Sequence, residues 1–188
     1  MQTVIGKMRN IFQTTHKKKD GAEYKMEYIG LSMISNKLLP PENVVFPIGY
    51  SYRLFQDGDE FNWARITYEA DEFDSINDAL NYFNEHFVTR KEKLYNCCYF
   101  CFNSDGRPVG TATAWACELN GLKQGMLSWV VISKEYQGRG LCRPLVGLAV
   151  HKLSQEYNSA FLHTQTTSFK GIKVYLDMGF EPYVLAPI

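Results

Sequence analysis

An apolar run from Met126 to Ile132 leads into the glycine loop Gln137-Gly138-Arg139-Gly140, and a helical pattern follows the loop at once. A strand, a glycine loop and a helix in this order bring free backbone N–H groups and the positive end of a helix dipole to one point. The sequence therefore predicts a protein that binds a phosphorylated cofactor. For the loop taken alone, the alternative is a glycine turn that binds nothing.

The segments around this loop predict a β-α-β crossover. Apolar residues recur at helical spacing from Leu145 to Leu153, and Ala160 to Thr164 is a short strand candidate. Such a unit makes its two strands parallel, and ligands are favoured at their carboxyl ends. The continuous run Trp129 to Ile132 is typical of a strand that is buried on both faces, so we expect the middle of the sheet here.

Other segments predict further strands and helices that pack on this sheet. The expected elements are a strand over Tyr50 to Phe55, a helix over Glu60 to Tyr68, a helix capped by Ser75 with Ala79, Tyr82, Phe83 and Phe87 inward, hairpin strands over Tyr95 to Phe102 and Gly110 to Cys117, and a helix from Ser168 to Met178. Together they indicate an α/β (α+β) fold class.

Composition limits the classes of partner. The 188 residues suit one catalytic domain, and the 20 basic and 20 acidic side chains balance, which argues against nucleic acid and anionic membrane as partners. No apolar run reaches the roughly 20 residues that span a bilayer, and no signal-peptide pattern is visible, so we expect a cytoplasmic protein. Cys97, Cys98 and Cys101 are expected to be buried thiols rather than metal ligands.

The first 42 residues differ from the rest of the chain. They contain the basic run Lys17-Lys18-Lys19, which suits a solvated loop or an anion-binding patch, and they end near Pro40-Pro41. We expect residues 1–42 to be an N-terminal extension of unknown role and residues 43–188 to be the catalytic domain. Met26 to Ile34 could add a strand or a helix to that domain.

Two motifs resemble those of the GCN5-related N-acetyltransferases. Val131 to Cys142 resembles their acyl-CoA loop, whose pattern is Gln or Arg, two residues, Gly, one residue, then Gly or Ala. Ser168 to Phe180 is similar to their Asn-x-x-Ala-x-x-Leu-Tyr-x-x-x-Gly-Phe helix. The resemblance covers Tyr50 to Val184. Cys142 replaces Gly or Ala, Ser168 replaces Asn and Gly171 replaces Ala, so altered contacts are expected at these positions.

The resemblance implies a mixed, mostly antiparallel sheet with helices on both faces, and acetyl-CoA as acyl donor without a metal. It implies that the strands holding Val130 and Leu162 splay apart to admit the pantetheine arm, and that a main-chain N–H near Val131 polarises the thioester. The implied cofactor-binding residues are Val130, Val131, Ile132, Gln137, Gly138, Arg139, Gly140, Leu141, Cys142, Ser168 and Tyr175.

The resemblance also implies direct acetyl transfer, within a ternary complex, to a primary amine of a small molecule or peptide. Tyr175 stands at the position of the acid, and the general base is left open between Glu118 and His163, with Glu69, Glu72 or a water chain as further choices. A partly aromatic acceptor is expected next to Trp63, Tyr68, Phe73, Tyr82 and Phe83. A non-catalytic acyl-CoA-binding module and a plain α/β interaction domain are the rival functions, and a homodimer is left open.

Overall fold

The computed structural model of the chain describes residues 15–17, 23–25, 29–119 and 121–183. Nine strands and five α-helices lie within these ranges. In chain order they are β1 (Thr15–Lys17), β2 (Glu23–Lys25), β3 (Gly30–Ser35), β4 (Ser51–Leu54), α1 (Asp59–Glu69), α2 (Ile76–Phe87), α3 (Lys91–Cys97), β5 (Cys98–Phe102), β6 (Pro108–Leu119), β7 (Leu122–Ile132), α4 (Cys142–Glu156), β8 (Ala160–Gln165), α5 (Phe169–Asp177) and β9 (Glu181–Pro182).

Seven of the strands form one sheet in the order β4-β5-β6-β7-β8-β3-β9, and β1 pairs with β2 separately. Every neighbouring pair in the large sheet is antiparallel except β7 and β8, which are parallel and joined by α4. This arrangement confirms the predicted α/β class, the mixed sheet and its single parallel crossover. The crossover is where the sequence placed it.

Helices cover both faces of the sheet. On one face α4 packs so closely that a Cβ atom at Gly125 would lie 2.8 Å from Leu153 of α4. On the other face the ring of Phe87, from α2, meets Trp115 of β6 at 5.8 Å between ring centroids. The missing side chain at Gly125 therefore allows the close approach of the crossover helix.

The first two large helices begin and pack much as predicted. Ser75 caps α2 by accepting a hydrogen bond from the Asp78 amide, and Ala79, Phe83 and Phe87 face the core. The α1 helix begins at Asp59, whose buried carboxylate pairs with Arg53 of β4. This ion pair links the first edge strand to the helix that follows it.

The predicted strand over Tyr95 to Phe102 is wrong at its start, because Tyr95 to Cys97 end the helix α3. The Tyr95 ring packs at 5.6 Å from Phe55, its hydroxyl donates to Asp57, and Leu94 is 1% exposed. Packing over the end of β4 thus outweighs the strand propensity of the aromatic run.

The three cysteines of this region are buried, as predicted. Burial raises the pKa of Cys97 and of Cys101 to about 12 and that of Cys98 to about 11. Within the described residues no group of three or more His, Cys, Asp or Glu side chains is placed to hold a metal ion. These thiols are therefore protonated core groups at neutral pH.

The N-terminal stretch contributes a strand to the large sheet. Gly30 to Ser35 form β3, which lies between β8 and β9, whereas Met26 to Tyr28, Lys18 and Lys19 lie outside the described residues. The connection to β4 then crosses α4, where Pro41 would be 2.9 Å from a Cβ atom at Gly147. None of the helices in the described part of the chain is long and apolar enough to cross a membrane.

Candidate functional site

The parallel strands β7 and β8 diverge after two paired positions. Their ladder joins only Gly125 with Ala160 and Met126 with Phe161. Beyond this point β7 stays paired with β6 as far as Ile132, and β8 stays paired with β3 as far as Gln165. The expected splay is therefore present, and it leaves a gap lined by backbone groups at the carboxyl ends of both strands.

A β-bulge shapes the β7 side of this gap. Val131 pairs with Thr111 but Ser128 pairs with Thr113, so β7 holds one residue more than β6 between these pairs. Trp129, inside the bulge, has a φ of 50°, and its side chain is half-buried. The prediction that the run from Trp129 to Ile132 is buried on both faces is thus wrong at Trp129 and Val130, which are half-buried, and only Val131 and Ile132 are buried.

The glycine loop follows β7 at the same end of the sheet. Gly138 and Gly140 have φ angles of 76° and 81°, which only glycine adopts without strain. The Gln137 side chain donates a hydrogen bond of 3.0 Å to the carbonyl of Ile132, and Leu141, 2% exposed, anchors the other end of the loop in the core. These contacts fix the backbone of the loop before any ligand arrives.

The start of α4 presents unoccupied donors to this loop. The helix begins at Cys142 and has no side-chain cap, and within the described residues the amides of Gly138, Arg139 and Gly140 donate no hydrogen bond. Free amides and the positive end of a 15-residue helix stabilise phosphate oxygens. The loop thus fits a diphosphate by means of its backbone.

The Arg139 side chain is held by other groups of the protein. Its guanidinium donates to the carbonyl of Glu135 at 2.9 Å and to the hydroxyl of Tyr50 at 3.3 Å, and it lies 4.8 Å from the centre of the Tyr136 ring. Arg139 also lines an open cavity of about 330 Å³ between the loop and the β5–β6 turn. Its contribution to the loop is structural as well as electrostatic.

Tyr175 is the buried hydroxyl group beside the gap. The residue lies in α5 and is 7% exposed, with its ring 6.5 Å from that of Phe180. Burial, with smaller contributions from Cys142 and Glu72, raises the pKa of Tyr175. The phenol therefore keeps its proton at neutral pH and can act as a donor. Ser168, at the start of the same helix, is half-buried and makes no capping hydrogen bond.

The structure separates the two predicted bases. Glu118 pairs with Lys123 beside the β6–β7 turn, near the start of β7, whereas the gap opens beyond Met126 towards the carboxyl end of β7. His163 lies on the splayed part of β8, where its Nδ1 atom is 2.9 Å from the Ser32 hydroxyl. Partial burial of the ring lowers the pKa of His163, although much of the residue is exposed. His163 thus lies, as a neutral imidazole, on a strand that borders the gap, and Glu118 lies near the other end of β7.

Glu69, the last residue of α1, and Glu72, three residues later, differ sharply in their hydrogen-bond partners. Arg65 and Arg107 donate to Glu69 at 2.8 and 2.7 Å. Burial alone would raise its pKa, but the hydrogen bonds from the two arginines, with the influence of the nearby Ser133, outweigh burial and lower it. Glu72 is half-buried without such partners, and burial raises its pKa. Glu69 is therefore a structural ion-pair residue, and Glu72 is a free carboxylate at the gap.

Aromatic rings line the side of the gap that faces α1 and α2. Trp63 and Phe83, each 1% exposed, belong to the core, whereas Phe73, Tyr82 and Trp129 are half-buried. Phe73 stacks on Trp129 at 5.8 Å, and Tyr82 meets Trp129 edge to face at 5.1 Å. Of the predicted aromatic residues, Tyr68 is exposed and Phe73 and Tyr82 are partly accessible, and Trp129, which the bulge brings there, joins them.

This geometry, a mixed sheet with a fork beside a glycine loop, defines a class of acyltransferase fold. The sequence model described as "Acetyltransferase (GNAT) family" matches residues 52–180 of the chain. The chain therefore belongs to the GNAT acetyltransferase family, as its two motifs predicted. No curated protein sequence matches the chain.

Solved structures with a similar fold are diverged in sequence. A GCN5-related N-acetyltransferase from Sphaerobacter thermophilus matches with a TM-score of 0.57 and 23% identity over 82% of this chain and 48% of its own. An acetyltransferase from Colwellia psychrerythraea matches with a TM-score of 0.62 and 10% identity over 84% of this chain and 54% of its own. The chain thus spans about half the length of these two proteins.

A third structure was solved with ligands. The NatC complex bound to Gag peptide and CoA matches with a TM-score of 0.56 and 16% identity, over 73% of this chain and 87% of that chain. At these identities the likeness establishes the fold.

Proposed function

We propose that the protein is an acetyl-CoA-dependent N-acetyltransferase that transfers the acetyl group directly to a primary amine in a ternary complex. The observation that carries this proposal is the fork between β7 and β8, which opens beside the uncapped start of α4 and next to the buried hydroxyl of Tyr175. A phosphate site, a slot for an amide-bearing arm and a proton donor thus meet at one edge of the sheet.

The donor fits the groups that this edge offers. The amides of Gly138 to Gly140 and the first turn of α4 would hold the diphosphate. The backbone of Val130 to Ile132, unpaired on the side of β8, would bind the amides of the pantetheine arm as a neighbouring strand would. An acyl thioester supplies an activated carbonyl, and a main-chain N–H near Val131 would stabilise negative charge on its oxygen.

Direct transfer is supported by the state of the nearest thiol. Cys142 stands at the start of α4, and burial raises its pKa to about 11, which outweighs the opposite influence of Arg143. A protonated thiol is a poor nucleophile, so Cys142 does not suit a covalent acyl-enzyme. The acceptor amine is thus the nucleophile in this proposal, and Tyr175 returns a proton to the departing sulfur.

The acceptor is proposed to carry an apolar or aromatic group next to its amine. Phe73, Tyr82 and Trp129 form the accessible wall on the acceptor side, and such rings bind apolar groups by contact area. The NatC structure, whose fold is similar, was solved with a peptide as well as CoA. Both an arylalkylamine and a peptide amine fit this description.

Two measurements test the proposal. Coenzyme A at 100 times its dissociation constant should stabilise the protein by about 2.7 kcal/mol, which thermal unfolding detects. Acetyl-CoA should then release thiol in the presence of a panel of primary amines that includes arylalkylamines and short peptides. Stabilisation without thiol release would favour the non-catalytic acyl-CoA-binding module. No stabilisation at millimolar coenzyme A would overturn both functions.

A further inference from the structure

The Glu72 carboxylate has no partner among the described residues. It is half-buried, and it accepts no hydrogen bond and joins no ion pair there. Buried polar side chains are normally paired, and an unpaired carboxylate beside a cleft is costly to maintain. Glu69, three residues earlier, pairs with both Arg65 and Arg107. Glu72 makes no such ion pair.

The backbone of Glu72 is fixed by the end of α1. The Glu72 amide donates to the carbonyl of Thr67 at 3.0 Å, and the Asp71 amide donates to that of Tyr68 at 3.0 Å. This is a Schellman motif, and Asp71, with a φ of 62°, occupies the left-handed position that glycine usually takes. Glu72 therefore leaves the helix in one defined direction.

Two contacts anchor this turn to the gap. Asp71 pairs with Lys134, the residue that begins the short 3₁₀ helix after β7. On the other side of Glu72, the Phe73 ring stacks on Trp129 in the bulge, with an angle of 15° between the rings. The two neighbours of Glu72 in the chain thus contact the bulge of β7, at Trp129, and the residue Lys134 just after β7.

Tyr175, in α5, lies within electrostatic range of Glu72. The charge of Glu72 is one of the influences that raise the pKa of the Tyr175 hydroxyl. The two groups belong to different elements, Glu72 to the turn after α1 and Tyr175 to the helix after β8. Thus a carboxylate and a protonated phenol come within electrostatic range of one another.

We infer that Glu72 is the general base that deprotonates the acceptor amine, an inference that rests on the proposed function. Its carboxylate takes one proton from the ammonium form and passes it to solvent. The freed nitrogen lone pair forms the N–C bond, the C–S bond breaks with its electron pair on sulfur, and Tyr175 gives the sulfur its proton. Glu72 takes the second nitrogen proton, which then restores Tyr175, so one proton is released in total.

His163 is the competing base, and its surroundings suit the task less well. The residue is exposed, and its Nδ1 atom shares a hydrogen bond with Ser32. The centre of its ring lies 5.2 Å from that of Phe161, edge to face, on the part of β8 that pairs with β3. Among the two candidate bases, Glu72 is the one whose charge contributes to the raised pKa of Tyr175.

The charged surroundings of Glu72 keep it ready to accept a proton. Burial first, and then the charge of Asp71, raise its pKa above the ordinary 4.5. Lys134 is paired with Asp71, and the group of α5 within electrostatic range is the neutral Tyr175. A carboxylate of raised pKa is a stronger base, which is the property that proton abstraction requires.

The test compares Glu72→Gln with Asp74→Asn, a matched control at an exposed carboxylate of the same loop. With the best amine of the panel, Glu72→Gln should lower kcat/KM by about 10² to 10⁴ at neutral pH, the usual contribution of a general base. The affinity for coenzyme A should not change. As pH rises the amine loses its proton without help, so the deficit should shrink, and Asp74→Asn should match the wild type throughout.

Stability separates a catalytic role from a structural one. Because the folded-state pKa of Glu72 lies above its unfolded value, the ionised side chain destabilises the fold at neutral pH. Glu72→Gln should therefore unfold at the same or a higher temperature. If the wild type turns over and Glu72→Gln is fully active, this inference is overturned while the proposed function stands. The same holds if His163→Gln loses more activity than Glu72→Gln. Absence of turnover in the wild type would instead overturn the proposed function.

Discussion

At the residue scale, burial sets the protonation state of the groups around the gap. Tyr175 and Cys142 keep their protons because burial raises their pKa values. Burial also raises the pKa of Glu72. Asp59 shows the opposite outcome, since its hydrogen bonds outweigh burial and lower its pKa. Hydrogen-bond and ion-pair partners, more than the depth of burial, thus decide which carboxylates are structural and which can exchange protons.

Tyr175→Phe should separate catalysis from binding. The change removes only the hydroxyl, so kcat should fall by about 10²-fold or more while the dissociation constant of coenzyme A stays within a factor of about two. Steady-state kinetics and calorimetry measure the two quantities. Tyr99→Phe, a half-buried tyrosine in β5, is the control and should leave both unchanged. Equal turnover in the two variants would remove Tyr175 as the acid.

Asp59→Asn should destabilise the fold in a pH-dependent manner. Asp59 accepts hydrogen bonds from Arg53, Asn62 and the Gln56 amide, so its loss should lower the free energy of unfolding by about 1–3 kcal/mol at neutral pH. The folded-state pKa lies below 3.8, so this stability is present above pH 3.8 and is lost as pH falls through the folded-state pKa.

Urea titrations at decreasing pH measure this effect. The difference in unfolding free energy between wild type and Asp59→Asn should shrink below pH 3.8. A difference that stays constant into strong acid would show that the ionised Asp59 is not its source.

At the element scale, the order of strands and helices was predictable because each element carries its own periodicity and end signals. Ser75, the Met126 to Ile132 run and the glycine loop are local signals, and the structure places each in the element it indicated. The bulge at Trp129 was not predictable, because it depends on which residues of β6 pair with β7. The position of Glu72 likewise depends on a turn whose left-handed residue is Asp71, an aspartate where glycine would have been the usual signal.

The glycine loop allows a matched pair of alanine substitutions. Gly138 and Gly106 both have a φ of 76°, and a Cβ atom added to either glycine would meet no other atom within 4 Å. Gly138→Ala and Gly106→Ala should therefore each lower stability by about 1–2 kcal/mol through backbone strain. Only Gly138→Ala should also weaken binding of coenzyme A, by about tenfold or more, because its backbone carries the phosphate-binding amides.

Chemical denaturation and calorimetry on both variants test this pair. Equal affinities for coenzyme A in the two variants would show that the loop conformation does not govern phosphate binding.

At the scale of the whole molecule, the N-terminal strand completes the fork. β8 pairs with β3 over six residues, from Gly30 with Gln165 to Ser35 with Ala160. Because β3 pairs with the edge of β8 that faces away from β7, β8 can diverge from β7 and still keep one hydrogen-bonded neighbour. The chain after β3 then crosses α4 and approaches the glycine loop, where Pro47 would lie 3.7 Å from a Cβ atom at Gly140. The first 42 residues thus contribute directly to the sheet and lead into the segment beside the candidate site.

Two truncations test where the folded unit begins. The fragment 43–188 lacks β3, whose Met33 is 0% exposed, and it leaves one edge of β8 unpaired. Burial of one such side chain contributes about 1.5–3 kcal/mol, and the strand hydrogen bonds add to it, against a total stability of about 5–15 kcal/mol. We therefore expect 43–188 to unfold or aggregate, while 29–188, which keeps all seven strands of the large sheet, unfolds cooperatively and retains coenzyme A binding.

Circular dichroism during thermal unfolding, with and without coenzyme A, distinguishes these outcomes. A cooperative transition and unchanged cofactor affinity in 43–188 would show that β3 is dispensable and that residue 43 is a true domain boundary. Binding lost from both fragments would instead show that residues before 29 are needed for the site. The expected pattern, failure of the shorter fragment only, would make β3 part of the acyltransferase domain, because the splay of β8 requires a partner on its other edge.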